Sequence, residues 1–211
     1  MAQEVKTEST PQPLPSPAAR MTYEEFLAWA KDGTYAEWVN GKVILLSPNS
    51  SPHQLLQLFL AKLLDVFVET KHLGVVLCAP FQMKTGPELP GREPDIMFLA
   101  REHLGRLQHT YIEGPADLVV EIVGPDSRAR DRGEKFYEYE QGGVREYWMA
   151  DFTRRRAEFY ELGPDSIYRV IPVGGEGIFR STVLEGFWLK VDWLWEPPPL
   201  LSILKEWGLI P

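Results

Sequence analysis

Apolar positions along the chain follow two periods, and the change from one to the other marks the elements. Near the start, Thr22 and Glu25 have the spacing of a capping box, and Tyr23, Phe26, Leu27 and Ala30 recur at helical intervals, so a helix is predicted from Met21. Residues 35–47 hold two short apolar runs around Asn40-Gly41, the pair a type I′ hairpin turn favours. Ser51, Pro52 and Gln54 then read as the N-cap, first-turn proline and capping-box partner of a helix that runs to about Lys71 and ends at Gly74. Leu56, Phe59, Leu60, Leu63, Leu64 and Phe67 give it a wide apolar face suited to lie on a sheet.

From Val75 the pattern becomes that of strands, predicted at 75–84, 94–100 and 117–123. An amphipathic helix over about 130–141 stops at Gly142-Gly143, a strand follows at 145–151, and hairpin-like stretches cover 157–162 and 168–173. A tryptophan-rich segment ends at Trp195, and after three prolines Leu200, Leu201, Ile203, Leu204 and Trp207 outline a short helix, read as a packing or oligomer element. The order predicts an α/β fold with a central mixed sheet flanked by helices and a C-terminal β extension. Pro11, Pro13, Pro15 and Pro17 make residues 1–20 an expected disordered leader before a domain at 21–195, with a proline linker and terminal helix at 196–211.

Composition narrows the function. Thirty Asp and Glu against 22 Lys and Arg give 211 residues a net charge of -8 and a pI near 5.1, which excludes a diffuse polyanion binder. The single cysteine, Cys78, excludes an intrachain disulfide framework and a cysteine-rich zinc site. No apolar run approaches the roughly 18 residues of a membrane span, and no basic start with an apolar signal core is present, so a cytoplasmic protein is expected.

Two acids stand where acids are costly. Asp95 opens the run Ile96-Met97-Phe98-Leu99, and Glu121 interrupts Val119-Val120-Ile122-Val123. Either they are edge or arginine-paired carboxylates, or they face one cleft and hold a hard cation such as Mg²⁺. On the following helix Asp131, Lys135, Glu138 and Tyr139 share a face, and Lys135 lies beside the buried stripe. Its ammonium could reach the strand acids, or it could form a surface pair with Asp131 at i,i+4.

Residues 94–95 and 121–123, in a helix-strand-strand-strand-helix-strand order, resemble the PD-(D/E)XK nuclease superfamily. More closely, Thr22-Tyr23-Glu24-Glu25-Phe26, Arg92-Glu93-Pro94-Asp95-Ile96, Ala116-Asp117-Leu118-Val119-Val120-Glu121-Ile122, Asp131-Arg132-Gly133-Glu134-Lys135-Phe136 and Gly143-Val144-Arg145-Glu146-Tyr147-Trp148 are similar to the Uma-two family of restriction endonuclease-like proteins. The resemblance spans about Met21 to Trp195 and implies a restriction-endonuclease-like core that cuts DNA with Mg²⁺ or Mn²⁺. It implies that Asp95 and Glu121 are the metal ligands. The superfamily's strand lysine is replaced by Val123, and the nearer family supplies a helix lysine whose place Lys135 matches. Glu37 resembles that family's N-terminal acid, a further ligand or a hairpin-start polar residue; Gln82 is an active-site amide or an edge glutamine.

Other features carry less. His53 is read as a neutral surface histidine, and the four histidines are too scattered for a zinc site. Arg154-Arg155-Arg156 reads as a solvated turn, whereas Arg128, Arg130 and Arg132 could form a local basic rim with Lys135. Trp188, Trp193 and Trp195 read as core, Cys78 as an inert thiol in a buried strand. The apolar extension makes a homo-oligomer an expectation. The competing functional reading is a nuclease fold that binds or assembles without cutting, and a carboxylate-pair glycosidase is a third.

Overall fold

The structure is a computed structural model that describes residues 20–30, 34–125 and 127–211; of the expected leader, only Arg20 falls among them. In chain order the elements are α1 (Tyr23–Trp29), β1 (Ala36–Val39), β2 (Lys42–Leu45), α2 (Ser51–Lys71), β3 (Gly74–Cys78), β4 (Gln82–Lys84), β5 (Gly91–Arg92) and β6 (Ile96–Ala100). A 3-10 turn (Arg101–Arg106) leads to β7 (Tyr111–Glu113) and β8 (Leu118–Val123), then α3 (Arg128–Arg132), α4 (Glu134–Gly142) and β9 (Glu146–Asp151). The last elements are β10 (Arg156–Leu162), β11 (Tyr168–Val170), β12 (Ile178–Arg180), β13 (Trp188–Lys190) and α5 (Leu200–Glu206).

Local chemistry explains most boundaries. The Thr22 hydroxyl accepts from the Glu25 amide at 3.1 Å while the Glu25 carboxylate accepts from the Thr22 amide at 2.8 Å, completing the capping box of α1. Asn40 and Gly41 both take positive φ, 51° and 83°, the left-handed pair that joins β1 to β2. The N-cap of α2 is Ser50, one residue earlier than Ser51, because the Ser50 hydroxyl is the one that accepts from His53. Its C-cap is His72, at φ 55°, and Gly74 belongs to β3. Gly74 serves close packing instead: a Cβ there would lie 2.0 Å from the Leu99 carbonyl oxygen.

Two expected elements are divided. The strand predicted at 75–84 becomes β3 and β4 in different sheets, with the chain turning at Ala79-Pro80, where proline has no N–H to give a ladder. The helix predicted at 130–141 becomes α3 and α4, separated by non-helical backbone at Gly133, where a Cβ would meet the Ala129 carbonyl at 2.8 Å.

The main sheet has the order β11-β10-β9-β8-β6-β3, parallel only between β8 and β9, and a second sheet runs β2-β1-β5-β4-β7. Period-two alternation sorts the main sheet's side chains. Ile96, Phe98, Leu118, Val120 and Ile122 pack against Leu60, Leu63, Leu64 and Phe67 of α2. Met97, Leu99, Val119 and Val123 pack on the other side with Tyr139 of α4 and Met83 and Ile112 of the second sheet. The core around β6 and β8 is therefore two layers, one on each face of these strands. Trp193, with Ile203 of α5, is buried in the first, and Trp188 and Trp195 pack against it, so the apolar extension is covered within the chain. No helix among the described residues is long and apolar enough to cross a membrane.

Because Leu64 is fully buried while Leu55, on the outer side of the same helix, is 68% exposed, Leu64→Ala should lower unfolding free energy by about 2–5 kcal/mol and Leu55→Ala by less than about 0.5 kcal/mol. Urea titration of both variants checks this; equal losses would mean that α2 does not lie on the sheet.

Candidate functional site

One end of β6 and β8 carries the acids. Glu121 shares a face with Val119 and Val123, the side covered by α4, so Lys135 and Tyr139 of that helix meet its carboxylate. Asp95 stands immediately before β6, and its Oδ2 accepts from the Ile122 amide at 2.7 Å. The strand that bears Glu121 thus also fixes Asp95. β1 delivers Glu37, β5 delivers Arg92, and the chain after β5 adds Glu93; α3 contributes Asp131 and α2 contributes His53.

These groups form a buried ion network. Lys135 Nζ lies 2.8 Å from Glu121 Oε1, 3.2 Å from Glu37 Oε1 and 3.6 Å from Asp131 Oδ1. The Tyr139 hydroxyl donates to Glu121 Oε1 at 2.6 Å. Arg92, buried behind them, gives Nη1 to Glu37 at 2.8 Å and forms a fork on Glu138 at 2.7 and 2.8 Å. Gln82 is an interior amide of the second sheet that donates to Glu93 Oε1 at 2.7 Å and to the Ala36 carbonyl. It supports the site from behind and lies outside the pocket lining.

Burial and charge divide the titration of these acids. Burial raises the Glu37 carboxyl, but the charges of Lys135, Arg92 and Arg130 outweigh that and bring it to about 2. Burial dominates for Glu93, which is pushed up to about 7 although Gln82 opposes it. Burial likewise raises Glu121 and Asp131 against the opposing Lys135 ammonium. Lys135 itself is lowered by burial, yet Glu121, Glu37 and Asp131 more than reverse this, so it stays charged.

A pocket of about 270 Å³ opens over this network, lined among others by Tyr35, Glu93, Asp95, Glu121, Asp131 and Lys135. Of the residues marked in the sequence, Asp95, Glu121, Lys135 and Asp131 reach the lining, while Glu37, Gln82 and Tyr139 hold lining groups in place. His53 corrects an expectation: it is buried, lines the pocket and sets Nε2 3.3 Å from Asp95 Oδ2. Its placement by Ser50 at the start of α2 turns it inward. Cys78 is exposed rather than buried. The basic rim also shrinks, since Arg128 pairs with Asp151 and Arg132 with Glu158, which leaves Arg130 as the arginine in the lining. Arg92, Glu93 and His53 are the site residues that strand and helix patterns did not isolate. For the first two the available signal was a charged pair directly before Pro94-Asp95.

The donor chemistry suits a hard divalent cation. The lining acids offer only oxygen, and Glu93 Oε2 and both carboxylate oxygens of Asp131 are buried without hydrogen-bond partners. Among the described residues no three His, Cys, Asp or Glu side chains form a ready ligand cluster, so binding an ion requires their side chains to close on it.

The fold is a mixed α/β architecture with an acid-lysine pocket at one end of β6 and β8. Residues 23–192 match the Uma2 family, described as "Putative restriction endonuclease", and the chain belongs to that family. The crystal structure of "a putative nuclease belonging to DUF820 from Anabaena variabilis" has the same fold, with a TM-score of 0.68 at 16% identity over 83% of this chain and 98% of that one. No curated protein matches.

Glu93 has a consequence for stability. Its carboxyl moves from an ordinary 4.5 to about 7 in the fold. Below the first value both states are protonated; between the two only the folded state keeps the proton; above the second a charge is buried at full cost. Stability is therefore lost as pH rises between them. Glu93→Gln should raise the Tm at pH 8.5 by on the order of 5 °C and leave it unchanged near pH 4.5. Calorimetric scans at the two pH values check this, and an equal shift at both would remove the titration argument.

Proposed function

We propose that this protein is a divalent-cation-dependent endonuclease that hydrolyses phosphodiester bonds in DNA. The observation that carries the reading is the convergence of Asp95, Glu121 and Lys135 on one pocket that Arg130 also lines. Family membership and the nuclease-like fold agree with it.

Asp95 and Glu121 would hold Mg²⁺ or Mn²⁺, each engaging its protein donors through one oxygen, Oδ2 and Oε1 respectively. When bound, the ion supplies Lewis-acid polarisation of the phosphoryl group and lowers the pKa of water. Lys135 remains protonated and stabilises negative charge developing on the phosphate; it is too firmly charged to act as a base. Arg130 draws the phosphate to the mouth of an otherwise acidic pocket. Glu93 titrates near neutral pH and carries an unpartnered Oε2, so it is the acceptor we assign to the proton of the attacking water. The new oxygen-phosphorus bond forms as the bond to the leaving sugar oxygen breaks, and solvent water gives that oxygen its proton.

A second reading, a nuclease fold that binds without cutting, draws support from Lys135 being held by three carboxylates with Val123 on the strand in place of a lysine. Plasmid and single-stranded DNA incubated with Mg²⁺, Mn²⁺ or EDTA separate the two. Cleavage is expected only with metal, with losses of at least about 100-fold in Asp95→Ala and Glu121→Ala and a comparable loss in Lys135→Ala. Calorimetry should show millimolar or tighter Mn²⁺ binding to the parent protein and none to Asp95→Ala. Identical background nicking by parent and Asp95→Ala would sink the hydrolytic reading.

A further inference from the structure

Beside the acidic pocket lies a second cavity of about 460 Å³, and the two share Tyr35, Pro48 and Asn49. Its size falls in the range of small-molecule sites, roughly 300–1,000 Å³. Gln54, Gln57, Leu58 and Ala61 of α2 form one wall, and Cys78, Ala79 and Pro80 at the corner after β3 form another. Unlike its neighbour, this cavity has no Asp, Glu, His, Lys or Arg in its lining. Such a wall gives a phosphate no positive charge to pair with. It offers an uncharged planar heterocycle apolar surface to lie on and amides to meet its edge.

An oriented chain of amides links the two cavities. Gln57 donates from Nε2 to the Asp95 main-chain carbonyl at 2.8 Å and accepts through Oε1 from Gln54 Nε2 at 3.1 Å. These bonds fix the direction of the exposed Gln54 amide and set its carbonyl oxygen and second N–H at the outer end of the chain. Across the cavity Asn49 donates from Nδ2 to the Tyr35 hydroxyl at 3.3 Å, so its own carbonyl oxygen is a further acceptor. Burial, then the charge of Asp95, pushes Tyr35 up to about 12, so that hydroxyl stays neutral.

We propose that this cavity receives the nucleoside unit next to the phosphate being cut, and that the substrate is therefore single-stranded or locally unpaired DNA. The proposal rests on the endonuclease reading above. A strand whose phosphate sits at Asp95 and Glu121 places its adjoining sugar and base one backbone step away, and Gln57, in hydrogen-bond contact with Asp95, lies within that step. A base inside a duplex has its edge paired and its faces stacked, so it can enter only after it is splayed out, at a cost of a few kcal/mol that single strands avoid.

Cys78 is a reporter for occupancy, being the single cysteine of the chain, exposed, and on the cavity wall. The full chain in Mn²⁺ is treated with a maleimide in the presence of short phosphorothioate single strands, either with natural bases or with tetrahydrofuran spacers in place of every base. At ten times its Kd, the base-bearing strand should slow alkylation about tenfold, because the rate follows the free fraction. The spacer strand and a blunt duplex should slow it by less than about twofold. Ala61→Phe, which fills the cavity, and Gln54→Ala, which removes the outer amide, should lose the protection while binding Mn²⁺ as the parent does. Equal protection by spacer and base-bearing strands, or none by either while plasmid is still cut, overturns the cavity assignment and leaves the endonuclease reading standing. Protection by base-bearing strands alone, with no DNA cut under any metal, ends the hydrolytic reading and overturns the placement beside a scissile phosphate, leaving a cavity that binds a base.

Discussion

The site depends on one buried carboxylate, Glu37, held between two cations. Arg92 reaches it at 2.8 Å from the second sheet and Lys135 reaches it at 3.2 Å from α4. Burial works against the charge of both cations, and Glu37 is held well below the ordinary carboxylate range by both. Removing one member of such a set leaves an uncompensated buried charge, which commonly costs about 3–5 kcal/mol. The network therefore joins the second sheet to the helix layer of the main sheet, and it also fixes where Lys135 Nζ stands relative to Glu121. The chemistry and the docking of the two sheets rest on the same few atoms.

Much of the architecture was legible because local chemistry and tertiary packing agreed. Thr22 and Glu25 had the spacing of a capping box, and Asn40-Gly41 had the composition of its turn; each formed as its residues dictate. Where the two levels diverged, the sequence misled. The run at 75–84 carries one strand period throughout, yet its halves serve different sheets, and that division depends on partners distant in the chain. Gly133 interrupts a helix whose apolar stripe continues across it, because the stripe reports which face is covered and not whether the backbone is continuous.

The same distinction separates the site residues. Asp95, Glu121 and Lys135 stood out because charge beside an apolar stripe is conspicuous in one dimension. His53 did not, since a histidine in a first turn looks alike whether it faces water or an acid, and only the shift of the cap to Ser50 decides which. Arg92 and Glu93 stand in a family-like motif, but their part in the site comes from a fork on Glu138 and an amide from Gln82, neither of which spacing can reveal. The net charge of -8 also changes meaning, because Glu37, Glu121 and Asp131 are paired with the buried cations Arg92 and Lys135 and so add less to the outer field than exposed, unpaired acids would.

The amide of Ile122 that binds Asp95 belongs to β8, the strand that carries Glu121, and β8 lies between β6 and β9 with ladder bonds on both sides. The backbone positions of the two acids are thus set by sheet register, and a one-residue slip would turn Glu121 to the opposite layer. A frame of that stiffness cannot widen easily for a larger ion with more ligands. On the proposed reading, preference for a small octahedral cation over calcium would then be a mechanical property of the β-ladder, written into the pairing of its strands.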